Sequence, residues 1–275
     1  MPSITFIVLV GNKATYKNCF LSSPLLAMNN KSSQFQIIAQ SGFRSAAEAF
    51  NEGIERAVND LIVCIHQDVI LPVNWDGRLL ERRAEVESTG SSVGVVGCWG
   101  ITAEGERAGH VYHRDRRMFP RKPGDNGNRG AMSLPRKVQI LDELMISFRK
   151  SSGLTFDPFL PSFFGYAVDL CLQAEERGLQ NFAIDCPCIH QTADPRRIRK
   201  ELFASANYLM KKWKKLLPIP TPSGPLEGNL ALWRDRIKLR IQDAIGYTPS
   251  RVWWEVLPKV DPSEVLFADH STSRK

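Results

Sequence analysis

The chain has 275 residues, of which 43% are hydrophobic and 24% are charged, and its formal net charge at pH 7 is +7. This composition is ordinary for a soluble globular protein, and no apolar run approaches the roughly 18 residues of a membrane span. The first ten residues lack the features of a signal peptide, and the six cysteines lack the spacing of a disulfide framework. We therefore expect reduced thiols and a cytoplasmic location.

The first hundred residues alternate between β-branched runs typical of buried strands and stretches with helical periodicity. The clearest helix begins at Ser45 and has Glu48 three residues later, and this pair forms a capping box. The alternation predicts an α/β fold with a mixed, mainly parallel sheet flanked by helices. The predicted strands are 3–10, 35–40, 61–66 and 92–101, and the predicted helices are 17–29, 45–57 and 76–89.

A basic segment follows these elements. From Arg107 to Lys137 the sequence has nine Lys or Arg residues against two Asp residues, and it has no periodicity. Such a block attracts phosphates, nucleic acids or anionic lipids, although it can also be a plain solvated surface. Ordered patterning then resumes, with a helix predicted from Val168 to Arg177 and a short strand ending near His190.

The last third of the chain is predicted to be helical, with amphipathic helices at 195–217 and 230–245. We therefore divide the chain into a domain of residues 1–192 and a helical C-terminal extension of residues 193–275. The first of these helices has a large apolar face that we expect to be covered, and lysines on the other side that we expect to remain exposed. The apolar face contains Phe203, Leu209, Met210, Trp213 and Leu217, and the lysines are Lys211, Lys212, Lys214 and Lys215.

Asp68 lies two residues beyond the end of the predicted strand 61–66. In open parallel sheets, ligands bind beyond the carboxyl ends of the strands. A carboxylate at that place can hold Mg²⁺ or Mn²⁺, and the cation can in turn hold a diphosphate. The alternative is that Asp68 only stabilises a turn before Pro72.

The stretch from Ser45 to Glu81, with "HQDV" at its centre, resembles the family-2 glycosyltransferases of GT-A fold, and in particular a bacterial subgroup with that motif. The "A-x-N-x-G" helix of that family is matched by Ala49, Asn51 and Gly53. Later segments, "FDPFLPSFFGYAVDLCLQAEERGL" and "IDCPCIHQT", are similar to the acceptor-side helix and to the closing strand of the family. The resemblance covers roughly residues 3–192 and implies a GT-A-like domain.

The resemblance implies a site for a nucleotide-sugar donor and a divalent cation, Mn²⁺ or Mg²⁺. Asp68 matches the aspartate that contacts the metal, and His190 matches a histidine that reaches back to it. Only one carboxylate is present, because His66 stands at the earlier position of the family's DXD motif. The donor-binding residues that we expect are Gln40, Asn51, His66, Gln67 and Asp68.

The catalytic base is less clear from the sequence. The family's base position is occupied by Ala167, whereas Asp169 is kept two residues later. Asp169 is our candidate for the base, and the alternative is that it only caps the helix. The second strand ends in Gln40 where the family usually has an aspartate for the nucleobase, so the nucleotide is not specified.

The function indicated is that of a metal-assisted, inverting glycosyltransferase that moves a sugar from a nucleotide-sugar to a glycan or lipid-linked acceptor. The alternative is a non-catalytic GT-A-like module that binds a nucleotide, a glycan or an anionic partner. We expect no nucleic-acid partner, because no RNA-binding motif with interleaved aromatic residues is present. The basic segment from Arg116 to Arg129 is interpreted as a mobile lid over the diphosphate, and the lysines after Met210 as contacts of a peripheral protein with an anionic inner membrane face.

Overall fold

The structure is a computed structural model that describes residues 4–27, 35–109, 111–113, 116–117, 135–191, 199–222 and 224–228. The helices are α1 (Lys13–Asn18), α2 (Pro24–Ala27), α3 (Ala46–Arg56), α4 (Trp75–Ser88), α5 (Tyr166–Glu176) and α6 (Arg199–Lys212). The strands are β1 (Ile4–Leu9), β2 (Phe35–Gln40), β3 (Leu61–His66), β4 (Val69–Ile70), β5 (Val93–Gly97), β6 (Trp99–Ile101), β7 (Arg107–Gly109), β8 (Tyr112–His113), β9 (Arg116–Arg117), β10 (Arg136–Val138), β11 (Ile140–Leu141), β12 (Met145–Arg149), β13 (Gln180–Ala183) and β14 (Ile189–His190).

A seven-stranded sheet forms the centre of the protein, with the strand order β10-β13-β5-β12-β3-β1-β2. The strands β2, β1, β3, β5 and β13 run in one direction, and β12 and β10 run against them. The mixed, mainly parallel sheet expected from the alternating pattern is therefore confirmed. Because most strands share a direction, their carboxyl ends meet at one edge, where a ligand site is favoured.

Both faces of the sheet are covered, which explains why its inner strands are apolar without interruption. On β3, Ile62 and Cys64 belong to one buried cluster together with side chains of α3 and α5. The alternate residues Val63 and Ile65 belong to a second cluster, to which α4 contributes Trp75. The period-two alternation of a strand thus distributes the side chains of β3 between two cores.

Two smaller sheets lie beside the central one, and one of them brings distant parts of the chain together. Its strand order is β4-β14-β8-β9. Strand β4 begins one residue after Asp68, and its Val69 pairs directly with His190 of β14. The other small sheet has the order β11-β6-β7.

Two predicted elements are divided in the structure. The helix predicted at 17–29 is replaced by α1 and α2, because the Asn12 side chain caps an earlier start and Pro24 cannot lie inside a continuing helix. The strand predicted at 92–101 is interrupted at Cys98, so that β5 joins the central sheet and β6 joins a small one. The helix predicted at 230–245 lies outside the described residues.

The part of the C-terminal extension that the structure describes packs on the rest of the protein. Leu209, Met210 and Trp213 are buried, which confirms that the apolar face of α6 is covered. Leu209 and Trp213 belong to the same buried cluster as α3 and α5. Among the described residues, no helix combines the length and the apolar character needed to cross a bilayer.

The lid predicted from Arg116 to Arg129 lies outside the described residues except for β9. Its mobility and its closure over a ligand therefore stay predictions. The six cysteines are free and buried in the structure, and the reduced state of their thiols stays a prediction.

A glycine in α3 tests the packing of this helix on the sheet. A Cβ atom at Gly53 would lie 2.5 Å from Cγ2 of the fully buried Ile7. We expect Gly53→Ala to destabilise the protein by about 1–3 kcal/mol, the usual cost of overpacking a core. Chemical denaturation measures the difference.

The matched control is Gly77→Ala in α4, where the new Cβ would lie 3.0 Å from the movable side-chain oxygen of Asn74. An unobstructed change of this kind in a helix stabilises by about 1 kcal/mol. Equal stabilisation by both substitutions would show that α3 does not pack against β1 as described.

Candidate donor and metal site

Three side chains converge at the carboxyl edge of the central sheet. His66 is the last residue of β3, Asp68 follows it by two residues, and His190 ends β14. The ligand atoms that these residues offer lie within 4.8 Å of one another. The pairing of β4 with β14 produces this convergence, because it places the backbone of His190 beside that of Val69.

The distances define a compact group. Nε2 of His190 lies 3.1 Å from Oδ2 of Asp68, and Nδ1 of His66 lies 4.0 Å from Oδ1 of the same carboxyl. The backbone supports this arrangement, because the N–H of Gln191 donates to the carbonyl oxygen of Asp68 at 2.8 Å. The two oxygens of Asp68 thus face one histidine each. The structure brings Asp68 and His190 together, as their strand ends led us to expect.

The tautomer of His66 follows from its neighbour. The hydroxyl of Tyr166 donates to the carbonyl oxygen of Glu143 at 2.7 Å, and it has only one proton to give. Nε2 of His66, 2.9 Å from the same hydroxyl oxygen, must therefore donate to it. In the neutral ring the lone pair then lies on Nδ1, on the side of Asp68.

The protonation states suit a cation. Burial lowers the pKa of His66, and His190 acts in the same direction, whereas Asp68 and Asp142 oppose it. Burial alone would raise the pKa of Asp68, but the hydrogen bond from His190 and the two histidine charges reverse this, so that its pKa is lowered. A neutral imidazole and an ionised carboxylate are the forms that bind divalent metals, so these residues fit a metal ion.

The structure assigns different surroundings to the other predicted donor-binding residues. Gln40 is buried and donates to the carbonyl oxygen of Ala49 at 2.9 Å. Gln40 and His66 both pair with Leu9 of β1, one from each side. The backbones of Gln40 and His66 therefore lie two strand spacings, ~10 Å, apart. Gln40 therefore holds α3 on the sheet, and its contact with a donor stays a prediction.

Asn51 and Gln67 also make internal contacts. The side-chain amide of Asn51 exchanges two hydrogen bonds with the backbone of Phe156, at 2.8 and 2.9 Å. Oε1 of Gln67 accepts hydrogen bonds from the backbone N–H groups of Gly11 and Asn12, which follow β1. Both amides position backbone segments of the protein, and their direct role toward a donor also stays a prediction.

Asp169, the candidate base, is buried under the C-terminal segment. Trp213 Nε1 donates to its Oδ1 at 2.8 Å, and Lys212 Nζ lies 2.8 Å from the same oxygen. Gln173 Nε2 donates to Oδ2 at 2.6 Å. The N-cap of α5 is Gly165, without a side-chain cap, so Asp169 does not cap this helix. These contacts support a structural role, in which Asp169 fastens α6 to α5.

The site includes residues that the sequence analysis did not select. Tyr166 orients His66, and the loop of Asp142 and Glu143 lies beside the end of β3, because the N–H of His66 donates to the carbonyl oxygen of Leu144 at 3.1 Å. Two adjacent acidic residues just before an apolar strand were the available indication. Their importance depends on the antiparallel pairing of β12 with β3, which periodicity does not reveal.

Comparisons with solved structures find many similar folds at low sequence identity. One is GalNAc-T7 crystallised with UDP, GalNAc and Mn²⁺, with 10% identity and a TM-score of 0.49, covering 94% of this chain and 59% of that one. Another is the mannosyltransferase PcManGT from Pyrobaculum calidifontis in complex with GDP-Man and Mn²⁺, with 11% identity and a TM-score of 0.47, covering 90% of this chain and 76% of that one.

A third is glucosyl-3-phosphoglycerate synthase from Mycobacterium tuberculosis in complex with Mg²⁺ and UDP. It has 14% identity and a TM-score of 0.44, covering 76% of this chain and 79% of that one. No curated protein matches the sequence. The sequence profile described as the Glycosyltransferase like family matches residues 5–211. The match spans most of the chain and confirms the resemblance, so the chain belongs to the Glycosyltransferase like family.

Proposed function

We propose that the protein transfers a sugar from a nucleotide-sugar to an acceptor hydroxyl, with a divalent cation bound by His66, Asp68 and His190. The observation that carries this proposal is the convergence of these three ligand atoms within 4.8 Å at the carboxyl edge of the sheet. Family membership supports the reaction class. The donor, rather than the acceptor, belongs at this edge because its diphosphate needs the cation.

The chemistry of transfer requires a stabilised leaving group. The bond between the anomeric carbon and the diphosphate breaks, and negative charge develops on the diphosphate. A bound cation would neutralise that charge. The protein contributes the ionised Asp68, and it fixes His66 through Tyr166 so that the Nδ1 lone pair is directed to the carboxylate side.

The ligand set favours Mn²⁺ over Mg²⁺. Two imidazoles and one carboxylate form a mixed nitrogen and oxygen set, whereas Mg²⁺ prefers oxygen ligands and keeps several waters. We therefore expect Mn²⁺ to support donor binding more strongly, although a site that Mg²⁺ also enters would agree with the wider proposal. The acceptor that we propose is a glycan or a lipid-linked saccharide, and the stereochemistry that we propose is inversion.

A second candidate is a non-catalytic module that binds a nucleotide-sugar. It is favoured by Ala167 at the family's base position and by the engagement of Asp169 with Lys212 and Trp213. Donor hydrolysis separates the two candidates. Release of nucleoside diphosphate from a nucleotide-sugar with Mn²⁺ supports the enzyme, whereas donor binding without any release supports the module.

The central prediction concerns Asp68. Asp68→Asn removes the anionic ligand, so we expect the affinity for Mn²⁺ and donor to fall by more than the ~10–100-fold typical of changes outside the ligand set. Thermal shift with a panel of UDP- and GDP-sugars, with and without Mn²⁺, measures this. The protein should remain folded, because Asn has nearly the same shape as Asp and residue 68 lies between β3 and β4, outside the central sheet.

The control for that experiment is Glu176→Gln, which removes one exposed carboxylate at the end of α5. It should bind Mn²⁺ and donor like the wild type. If Asp68→Asn and Glu176→Gln both keep Mn²⁺-dependent donor binding, the metal assignment is wrong.

A further prediction concerns Tyr166. Tyr166→Phe removes the acceptor of the His66 proton, so we expect Mn²⁺ affinity to fall about 10-fold, as for other losses of groups that orient metal ligands. Titration with Mn²⁺ followed by electron paramagnetic resonance measures the affinity. The matched control is Tyr208→Phe, because the Tyr208 hydroxyl donates to Asp157 at 2.7 Å and not to a residue of the group His66, Asp68 and His190. Equal affinity in both variants would contradict the role of Tyr166.

We also propose that the lysines at the end of α6 hold the protein at an anionic inner membrane face. Lys211, Lys214 and Lys215 are exposed, but Lys212 is partly covered and pairs with Asp157 and Asp169, so the predicted face of four free lysines is reduced to three. At about 1 kcal/mol for each basic residue near such a surface, three support weak, salt-sensitive attachment.

Liposome co-sedimentation tests the membrane proposal. We expect binding to vesicles with phosphatidylserine at low salt, and its loss when Lys211, Lys214 and Lys215 are replaced by Gln. A control that replaces the exposed Lys13, Lys17 and Lys137 removes the same charge from elsewhere and should still bind. Equal recovery with neutral and anionic vesicles would leave α6 with a packing role alone.

A further inference from the structure

A carboxyl group at the edge of the site has no assigned role. Glu143 lies in the loop between β11 and β12, and its carbonyl oxygen accepts the hydrogen bond from Tyr166 that orients His66. The residue is half-buried, and its side-chain oxygen Oε1 is fully covered yet accepts no hydrogen bond from any residue that the structure describes. Burying an acceptor without a partner is costly, so such an atom commonly marks a functional group.

The carboxyl of Glu143 faces the first turn of α5. The backbone N–H groups of Gly165, Ala167 and Tyr166 lower the pKa of this carboxyl, because they favour its ionised form. Gly165 has a left-handed backbone with a φ of 81° and offers no side chain to cap the helix. The first turn therefore directs its amides at an acidic group that comes from another part of the chain.

The other described carboxylates near this edge have hydrogen-bond partners of their own. Asp169 is held by Lys212, Trp213 and Gln173. Burial raises the pKa of Asp142, but one of its oxygens accepts a hydrogen bond from the N–H of Leu144, and His66 and His190 oppose the rise. A cation bound by His66, Asp68 and His190 would lower the pKa of Asp142, because it favours the ionised carboxyl.

We infer that Glu143 is the general base that deprotonates the acceptor hydroxyl. This inference rests on the proposed transferase function. The carboxyl of Glu143 lies next to the backbone of Ala167. Glu143 therefore supplies a carboxyl at the first turn of α5, where Ala167 occupies the family's base position and has none. The Tyr166 bridge places its backbone two hydrogen bonds from His66, beside the proposed cation and the leaving diphosphate.

The step balances without a further reactant. The acceptor oxygen forms a bond to the anomeric carbon and gives its proton to the carboxylate of Glu143. The bond from the anomeric carbon to the diphosphate breaks, and its electron pair leaves with the diphosphate. The proton later passes to solvent. Water in place of the acceptor gives hydrolysis by the same step.

The electrostatic surroundings agree with this role. Burial raises the pKa of Glu143 to about 8, and Asp142 on the same loop adds to the rise, while the three amides of α5 oppose it. The other titratable group facing it from α5 is Tyr166, whose own pKa is raised well above its usual value by burial, with Glu143 adding to the rise. A base with a pKa near the working pH transfers protons most effectively.

The experiment compares Glu143→Gln with the wild-type full-length protein. Gln keeps an oxygen that can face the amides of α5 but cannot accept the proton. The probe is the nucleotide-sugar that gives the largest Mn²⁺-dependent thermal shift among UDP-glucose, UDP-galactose, UDP-N-acetylglucosamine and GDP-mannose, with water as the acceptor. We expect unchanged donor affinity and at least a roughly 100-fold slower release of nucleoside diphosphate. Glu176→Gln should hydrolyse the donor like the wild type.

Two further measurements distinguish a base from a helix-stabilising acid. Turnover of the wild type should increase with pH as the Glu143 carboxyl loses its proton, because only the deprotonated carboxyl can accept a proton. The rise should lie below about 8, since the bound cation favours the ionised form. The sugar first released, observed by proton NMR, should have the anomeric configuration opposite to that of the donor. If Glu143→Gln does not fold, these two wild-type measurements decide, and either constant turnover from pH 4 to 9 or a retained configuration overturns the inference.

The outcomes separate this inference from the proposed function. Hydrolysis by Glu143→Gln within about threefold of the wild type, with a lower melting temperature, would show a purely structural Glu143 and leave the transferase intact. Donor binding without hydrolysis by the wild type would overturn the base and favour the binding module. Absence of Mn²⁺-dependent donor binding by the wild type would overturn the proposed function, and this inference with it.

Discussion

The pairing of two very short strands determines whether this protein has a site. Strands β4 and β14 are two residues each and lie 119 positions apart at their closest paired ends, Ile70 and Ile189, yet their register sets the position of His190 relative to Asp68. A shift of one residue would turn the His190 side chain to the other side of the small sheet. The hydrogen bond from Gln191 to the Asp68 carbonyl and the buried Ile189 stabilise the correct register.

The sequence was informative wherever a property repeats along the chain. Apolar runs identified β1, β2 and β3, and the capping box of Ser45 identified α3, because burial and capping leave local patterns. The short motifs around Asp68 and His190 identified two of the three residues of the candidate metal site. The start of α5 was placed two residues late, since a helix that begins after a bare Gly165 lacks a capping side chain.

The remaining features depend on contacts between distant segments. Tyr166 is an ordinary aromatic residue in the sequence, and only the arrangement of β3, α5 and the loop before β12 places its hydroxyl between His66 and Glu143. The surroundings of Asp169 likewise depend on where α6 lies, which amphipathicity cannot specify, because an apolar face indicates that a helix is covered and does not identify its cover. Gln40 and Asn51 were selected as donor-binding residues, whereas their hydrogen bonds to the backbone of Ala49 and Phe156 depend on the tertiary arrangement and were not predicted.

The seating of α6 has a consequence for any shortened version of the protein. A chain ending at residue 192 would match the boundary drawn from the sequence, but it would lose the ammonium and indole groups that satisfy Asp169. The Asp169 carboxyl would then keep only Gln173 of its three described partners, and it lies on α5, the same helix whose first residue orients His66. A fragment designed to isolate the chemistry would therefore perturb the helix that supports it, and a useful truncation has to keep α6 and Leu226, which packs against the same core.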